Sequence, residues 1–177
     1  DLVDFPVLQN AVFGDPGRKR RKTPGCNAAI TVQDPDAAET DVRNLNAAFA
    51  NSGARHAFMS AASPGVVALF FQNTHYKSYE DYIFAIADAM RAEYESVAAG
   101  GIILQIDCPD LAMGRHIQYA DQDLAGFRKA AALHIEALNH ATANIPVEQL
   151  RMHVCWGNYE GPHDYDVAMS DIIDLVF

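Results

Sequence analysis

A parallel β-sheet covered by helices, present as about four β/α units of a (β/α)8 TIM-type barrel, is the fold class this sequence predicts. Three observations carry it. Strand-like and helix-like segments alternate four times along the chain, the order in which parallel strands are joined by helical crossovers. No Gly-rich nucleotide fingerprint follows any strand (residues 61–65 read AASPG), which counts against the doubly wound alternative. The chain has 177 residues, half of them hydrophobic and one fifth charged, enough for one domain with a substantial core. Residues 1–177 are therefore read as a single domain, with 1–25 as a loop or irregular entry segment. The chain opens on Asp1 and ends on Phe177 inside an apolar helical pattern, so a piece of a longer barrel is expected.

The elements follow in order. Residues 28–33 (AAITVQ) are apolar and partly β-branched, the mark of a first strand, and Asp34-Pro35 ends it. Val42, Leu45 and Phe49 recur at helical spacing over 36–51, which closes on Ser52-Gly53. A second strand spans 56–61 and stops at Ser63-Pro64-Gly65. Ser78 is a helix N-cap, with Asp81 three residues on. Behind it runs the apolar stripe Tyr79, Ile83, Ile86, Met90, Tyr94 and Val97, stopped by Gly100-Gly101. Residues 102–107 (IILQID) form a third strand. A helix over 121–144 carries Leu124, Phe127, Ala131, Ile135 and Leu138, and 150–156 (LRMHVCW) is the fourth strand. Ser170 then caps a last helix with Ile172, Ile173 and Val176.

Charge narrows the partners. Thirteen Lys and Arg against 23 Asp and Glu leave a net charge of −10, which repels phosphate backbones and anionic lipid and argues against nucleic-acid and membrane partners. The five-base run Arg18–Lys22 is read as a solvated loop. No apolar run approaches the ~20 residues of a membrane-spanning helix. Three cysteines do not make a disulfide framework, so a reducing cytoplasm is expected.

Strand alternation then selects the residues able to do chemistry. In the fourth strand Met152, Val154 and Trp156 share one face, and Arg151, His153 and Cys155 share the other. In the third, Leu104 and Ile106 oppose Gln105 and Asp107. The polar sets lie near the C-terminal strand ends, where α/β folds build their sites. His153 and Cys155, at i and i+2, project in parallel and offer a nitrogen and a sulfur to one zinc ion; the structural reading is a core histidine beside an inert cysteine. Asp107 and Gln105 are candidates for substrate binding, with Asp107 otherwise a turn cap. Cys108 has the opposite parity to Asp107 and is expected to point away. Cys26 and the loop residue His163 are lesser candidates. His134 and His140 fall within a helix and are expected at its surface, while Phe70-Phe71 is read as core. There is no Gly-x-Ser-x-Gly elbow.

Two segments together resemble one family. Leu104-Gln105-Ile106-Asp107-Cys108-Pro109 is similar to the Ile-Gln-Ile-Asp-Glu-Pro segment of cobalamin-independent methionine synthase. His153-Val154-Cys155-Trp156-Gly157-Asn158-Tyr159-Glu160-Gly161-Pro162-His163 resembles the His-x-Cys zinc-ligand strand of that superfamily. The likeness is strongest to its shorter members, methionine synthase II-like proteins and epoxyalkane:coenzyme M transferases, and it spans about residues 55–177. It implies a barrel with one zinc ion bound by His153 and Cys155. The metal would activate a thiol for attack on an alkyl donor, and Asp107 would hold the amine of an amino-thiol such as homocysteine. The family's remaining ligands come from later strands, which this chain does not contain. Cys108 stands where methionine synthase has a glutamate, and only Phe70 or Phe71 lies near the place of its folate-associated tryptophan. Both departures favour a shorter relative.

The function expected is zinc-dependent alkyl or methyl transfer to a thiol, of the kind used in methionine biosynthesis. Its partners are a small thiol and an alkyl donor, and self-association into a homo-oligomer is left open. The alternatives are a metal-dependent lyase or hydrolase on the same fold, or a degenerate, non-catalytic barrel.

Overall fold

The computed structural model describes residues 4–14, 24–158 and 162–177. In chain order the elements are α1 (Pro6–Phe13), β1 (Gly25–Cys26), α2 (Ala37–Ala50), β2 (Phe58–Ala62), α3 (Pro64–Phe70), β3 (Gln72–Asn73), α4 (Tyr79–Ala99), β4 (Ile103–Asp107), α5 (Gly114–Ile117), α6 (Leu124–Thr142), β5 (Leu150–His153) and α7 (Ile173–Val176), with short 3₁₀ turns between some of them. The base run 18–22 lies outside the described residues.

The strands form two small parallel sheets. β2 pairs with β4, from Phe58 opposite Ile103 to Ala62 opposite Asp107. β4 pairs with β5, from Leu104 opposite Leu150 to Asp107 opposite His153. The second sheet is β1 beside β3, two residues each. The expected (β/α)8 barrel is therefore not found, nor a part of one with four units. A barrel closes because every strand is paired on both sides, and among the described residues only β4 is. The segment 28–33, expected as the first strand, is irregular and largely exposed. Its Ile30 N–H donates to the Tyr76 hydroxyl at 2.9 Å instead of to a strand.

Helices cover one face of the three-stranded sheet. Ala61, Leu104 and Ile106 are buried there, with Met59, Met152 and Val154 packed against them, beneath Ile83, Tyr94 and Val97 of α4 and Phe127, Ala131 and Leu138 of α6. α4 begins as its cap predicts, with the Ser78 hydroxyl accepting from the Asp81 N–H at 3.0 Å. It ends beside Gly101, whose φ of +73° suits glycine. α3 was not foreseen. Ser63 ends a strand but also caps a helix: its Oγ accepts from Val66 N–H at 3.0 Å, and Pro64 takes the first helical position. Phe70 and Phe71, expected in the core, are 50% and 44% exposed. The helix expected after Ser170 is a 3₁₀ turn, Met169–Asp171, followed by the single turn of α7, and Ser170 caps neither. Among the described residues no helix is long and apolar enough to cross a membrane.

α7 is tied to α6 by a fork. Arg128 gives Nη1 to Asp174 Oδ1 at 2.8 Å and Nη2 to Oδ2 at 2.6 Å, and it also reaches the Asp171 carbonyl. The guanidinium holds the Asp174 carboxyl below its usual 3.8. A carboxylate whose pKa is lower folded than unfolded stabilises the fold fully above its unfolded value, and the contribution is lost as pH falls through the folded value. Protection of the amides of 173–176, corrected for intrinsic exchange, is therefore expected to fall below about pH 3.8, and Arg128→Ala to remove that dependence. Unchanged protection in the variant would assign the dependence to other groups.

Candidate functional site

The sheet face opposite the helices is polar and open, and the strand alternation dictates its composition. Ser60, Gln105 and Arg151 lie side by side across β2, β4 and β5, with Asp107 beside His153 in the next row towards the C-terminal ends. Gln105 joins them. Its Nε2 donates to Ser60 Oγ at 3.0 Å and to Asp107 Oδ1 at 2.9 Å, while its Oε1 accepts from Arg151 Nε at 2.9 Å. One amide thus fixes a carboxylate on one side and a guanidinium on the other.

β5 ends at His153, short of the strand expected over 150–156. The His153 carbonyl accepts from Cys108 N–H at 2.8 Å and the Cys155 carbonyl from Met113 N–H at 3.3 Å, both towards the β4 side. Met152, Val154 and Trp156 pack on the core cluster, and His153, paired with Asp107, lies on the open face. His153 is exposed and Cys155 half-buried. Gly157, at φ +94°, turns the backbone so that its N–H points back at Cys155 Sγ, 3.2 Å away; a side chain would resist that conformation. An imidazole nitrogen and a thiol sulfur are donors of the types zinc takes. Among the described residues no group of three or more His, Cys, Asp and Glu is gathered to hold a metal.

The other candidates lie elsewhere. Cys108 is on the helix side of β4 and fully buried; burial pushes its thiol pKa far up, so it stays protonated and inert. Cys26 is in the small sheet, its thiol donating to the Ala28 carbonyl at 3.2 Å. His163 Nδ1 lies 2.9 Å from Asp166 Oδ2, and the same carboxylate lies 3.3 Å from His116 Nδ1. Tyr159, Glu160 and Gly161 of the segment 153–163 are outside the described residues.

The most tightly knit polar group was missed by sequence reasoning. It sits behind β4, on the helix side. Asp110 is 1% exposed, and Ser63 and His134 are each 2% exposed. Ser63 Oγ donates to Asp110 Oδ1 at 2.6 Å, and His134 Nδ1 meets Asp110 Oδ2 at 2.8 Å. A carboxylate only accepts, so Nδ1 carries the proton, and in the neutral ring Nε2 accepts from Tyr79 OH at 2.8 Å. Tyr119 OH stands 3.3 Å from the same nitrogen. His134, expected at the helix surface, is thus buried, because α6 turns that side towards α3 and α4. His140 is half-buried and meets Asp88 Oδ1 at 2.6 Å. Burial raises the Tyr79 phenol pKa far above its ordinary value, which keeps it a hydrogen-bond donor rather than a phenolate. The network bolts α3, α4 and α6 to the turn that leaves Asp107. It lacks the order of a hydrolytic triad, since serine and histidine both bond the carboxylate and not each other.

Family models, curated proteins and solved structures were compared with this chain, and none matches.

Proposed function

We propose that the open sheet face is the thiol-binding side of a zinc-dependent alkyl- or methyltransferase. One observation supports it above the others: His153 stands exposed on the open face, in register with Asp107 and two residues before the free thiol of Cys155. The resemblance of the segments 104–109 and 153–163 to the cobalamin-independent methionine synthase superfamily adds to it. On this reading His153 and Cys155 hold the metal, and a further donor comes from the thiol substrate. Bound zinc supplies Lewis acidity that makes a thiolate available at neutral pH.

The chain's own residues do the rest. Asp107 receives the amine of an amino-thiol such as homocysteine. Gln105 holds that carboxylate towards the substrate through its 2.9 Å bond. Gly157 orients the Cys155 sulfur. The alkyl donor approaches from the open side, and a cytoplasmic setting keeps both the free cysteines and the substrate thiol reduced.

Metal analysis tests the proposal. The protein is expected to bind zinc and to gain thermal stability from it, and His153→Ala and Cys155→Ser each to abolish both effects. X-ray absorption is expected to count one more sulfur at the metal when homocysteine is added. A protein that purifies without zinc and is not stabilised by it overturns the reading. A metal that keeps bound water and takes up no sulfur favours a lyase or hydrolase instead.

A further inference from the structure

We infer that Arg151 is a specificity-determining residue that receives an anionic group, carboxylate or sulfonate, on the thiol substrate. The inference rests on the zinc–thiol reading above and deepens it. Arg151 lies on the open face two residues before His153, about 7 Å along the strand, on the side that carries His153 and Asp107.

Two contacts hold its guanidinium. The Cζ atom lies 3.7 Å from the centroid of the Phe58 ring, a cation–π contact on a residue that is itself 48% exposed. Its Nε donates to Gln105 Oε1 at 2.9 Å. Neither contact uses the terminal nitrogens, and no carboxylate pairs with Arg151 among the described residues. What remains is a planar, pre-oriented guanidinium fork, which suits bidentate capture of a carboxylate or sulfonate.

Charge on the same face sharpens the assignment. The side chains of β2, β4 and β5 that share it are Phe58, Ser60, Ala62, Ile103, Gln105, Asp107, Arg151 and His153. Arg151 is the one permanent cation in that set, and Asp107 the one carboxylate. An anionic thiol therefore meets repulsion at Asp107 unless its charge is taken by Arg151. A thiol bearing both an amine and an acid satisfies both ends of the Gln105 bridge at once.

The test is calorimetric titration of the zinc-loaded protein and its Arg151→Gln and Arg151→Lys variants with four thiols: mercaptoethanol, mercaptopropionate, mercaptoethanesulfonate and homocysteine. Arg151→Gln is expected to weaken the acidic thiols about tenfold or more, the size of a lost charged hydrogen bond. It should leave mercaptoethanol within twofold, and Arg151→Lys should restore part of the loss. A selective loss for mercaptopropionate or for mercaptoethanesulfonate alone supports the inference and names the acid. Equal loss for all four, mercaptoethanol included, or no loss for any acid overturns it. If mercaptoethanol itself fails to bind the zinc-loaded wild type, the zinc–thiol reading falls, and this inference falls with it.

Discussion

Replacing Gly65 with alanine is expected to destabilise the protein by about 3 kcal/mol, through overpacking and the breaking of a buried polar network. In a chain of this size that corresponds to a fall of roughly 6–12 °C in Tm. A Cβ built on Gly65 lies 1.9 Å from Asp110 Oδ2 and 2.5 Å from His134 Nδ1. Such contacts are cheap to relieve when the struck atoms end a mobile side chain. Here both belong to side chains that are 1–2% exposed and bonded to each other, so relief requires the Asp110–His134 hydrogen bond to open or α3 to lift off the core. Gly53→Ala is the informative control. Gly53 has φ +68° but nothing within 4 Å of an added Cβ, so only backbone strain of about 1–2 kcal/mol is incurred. Thermal unfolding followed by circular dichroism separates the two. A Gly65→Ala protein that melts within the range of Gly53→Ala would show that the network yields easily and is no bolt.

How much of this was legible in the sequence depends on whether a feature is local. α4 was legible because its capping serine, its stripe and its stop all lie within one segment, and Ile83, Ile86, Tyr94 and Val97 are buried as the spacing requires. The two faces of β4 and β5 were legible for the same reason, since alternation puts Leu104 and Ile106 in the core and Gln105 and Asp107 outside it. Sheet closure was not legible. Whether 28–33 finds a partner is decided by residues far along the chain, and its β-branched composition makes it only compatible with a strand.

α3 was overlooked although its signal was present: Ser63 followed by Pro64 reads equally as the end of a strand and the start of a helix. His134 was also recoverable in part. The buried stripe of α6 runs Phe127, Ala131, His134, Leu138 and Ala141, and the histidine occupies a core position within it. Nothing near Asp110, however, announces partners 47 residues before it and 24 after it.

Removing that carboxylate is expected to have the other large effect. Asp110→Ala leaves the Ser63 hydroxyl and His134 Nδ1 without their acceptor in a site that water scarcely reaches. Each orphaned group costs about 1–3 kcal/mol, for a total of roughly 3–5 kcal/mol, comparable to breaking a buried pair by removing one member. Asp110→Asn distinguishes the lost contact from the lost charge. The asparagine oxygen can still accept from Ser63, and its amide then faces Nδ1, so the imidazole must move its proton to Nε2 and donate towards Tyr79 or Tyr119. The phenol there can accept as well as donate, so the network can be rebuilt with both imidazole bonds reversed, and a cost of about 1–2 kcal/mol is expected. Denaturant unfolding of the two variants measures the difference, and NMR of the His134 ring nitrogens reads the tautomer directly. The asparagine variant should show the proton on Nε2, where the wild type has it on Nδ1. If both substitutions cost the same, the charge rather than the hydrogen-bond framework holds α3, α4 and α6 against the turn that follows Asp107.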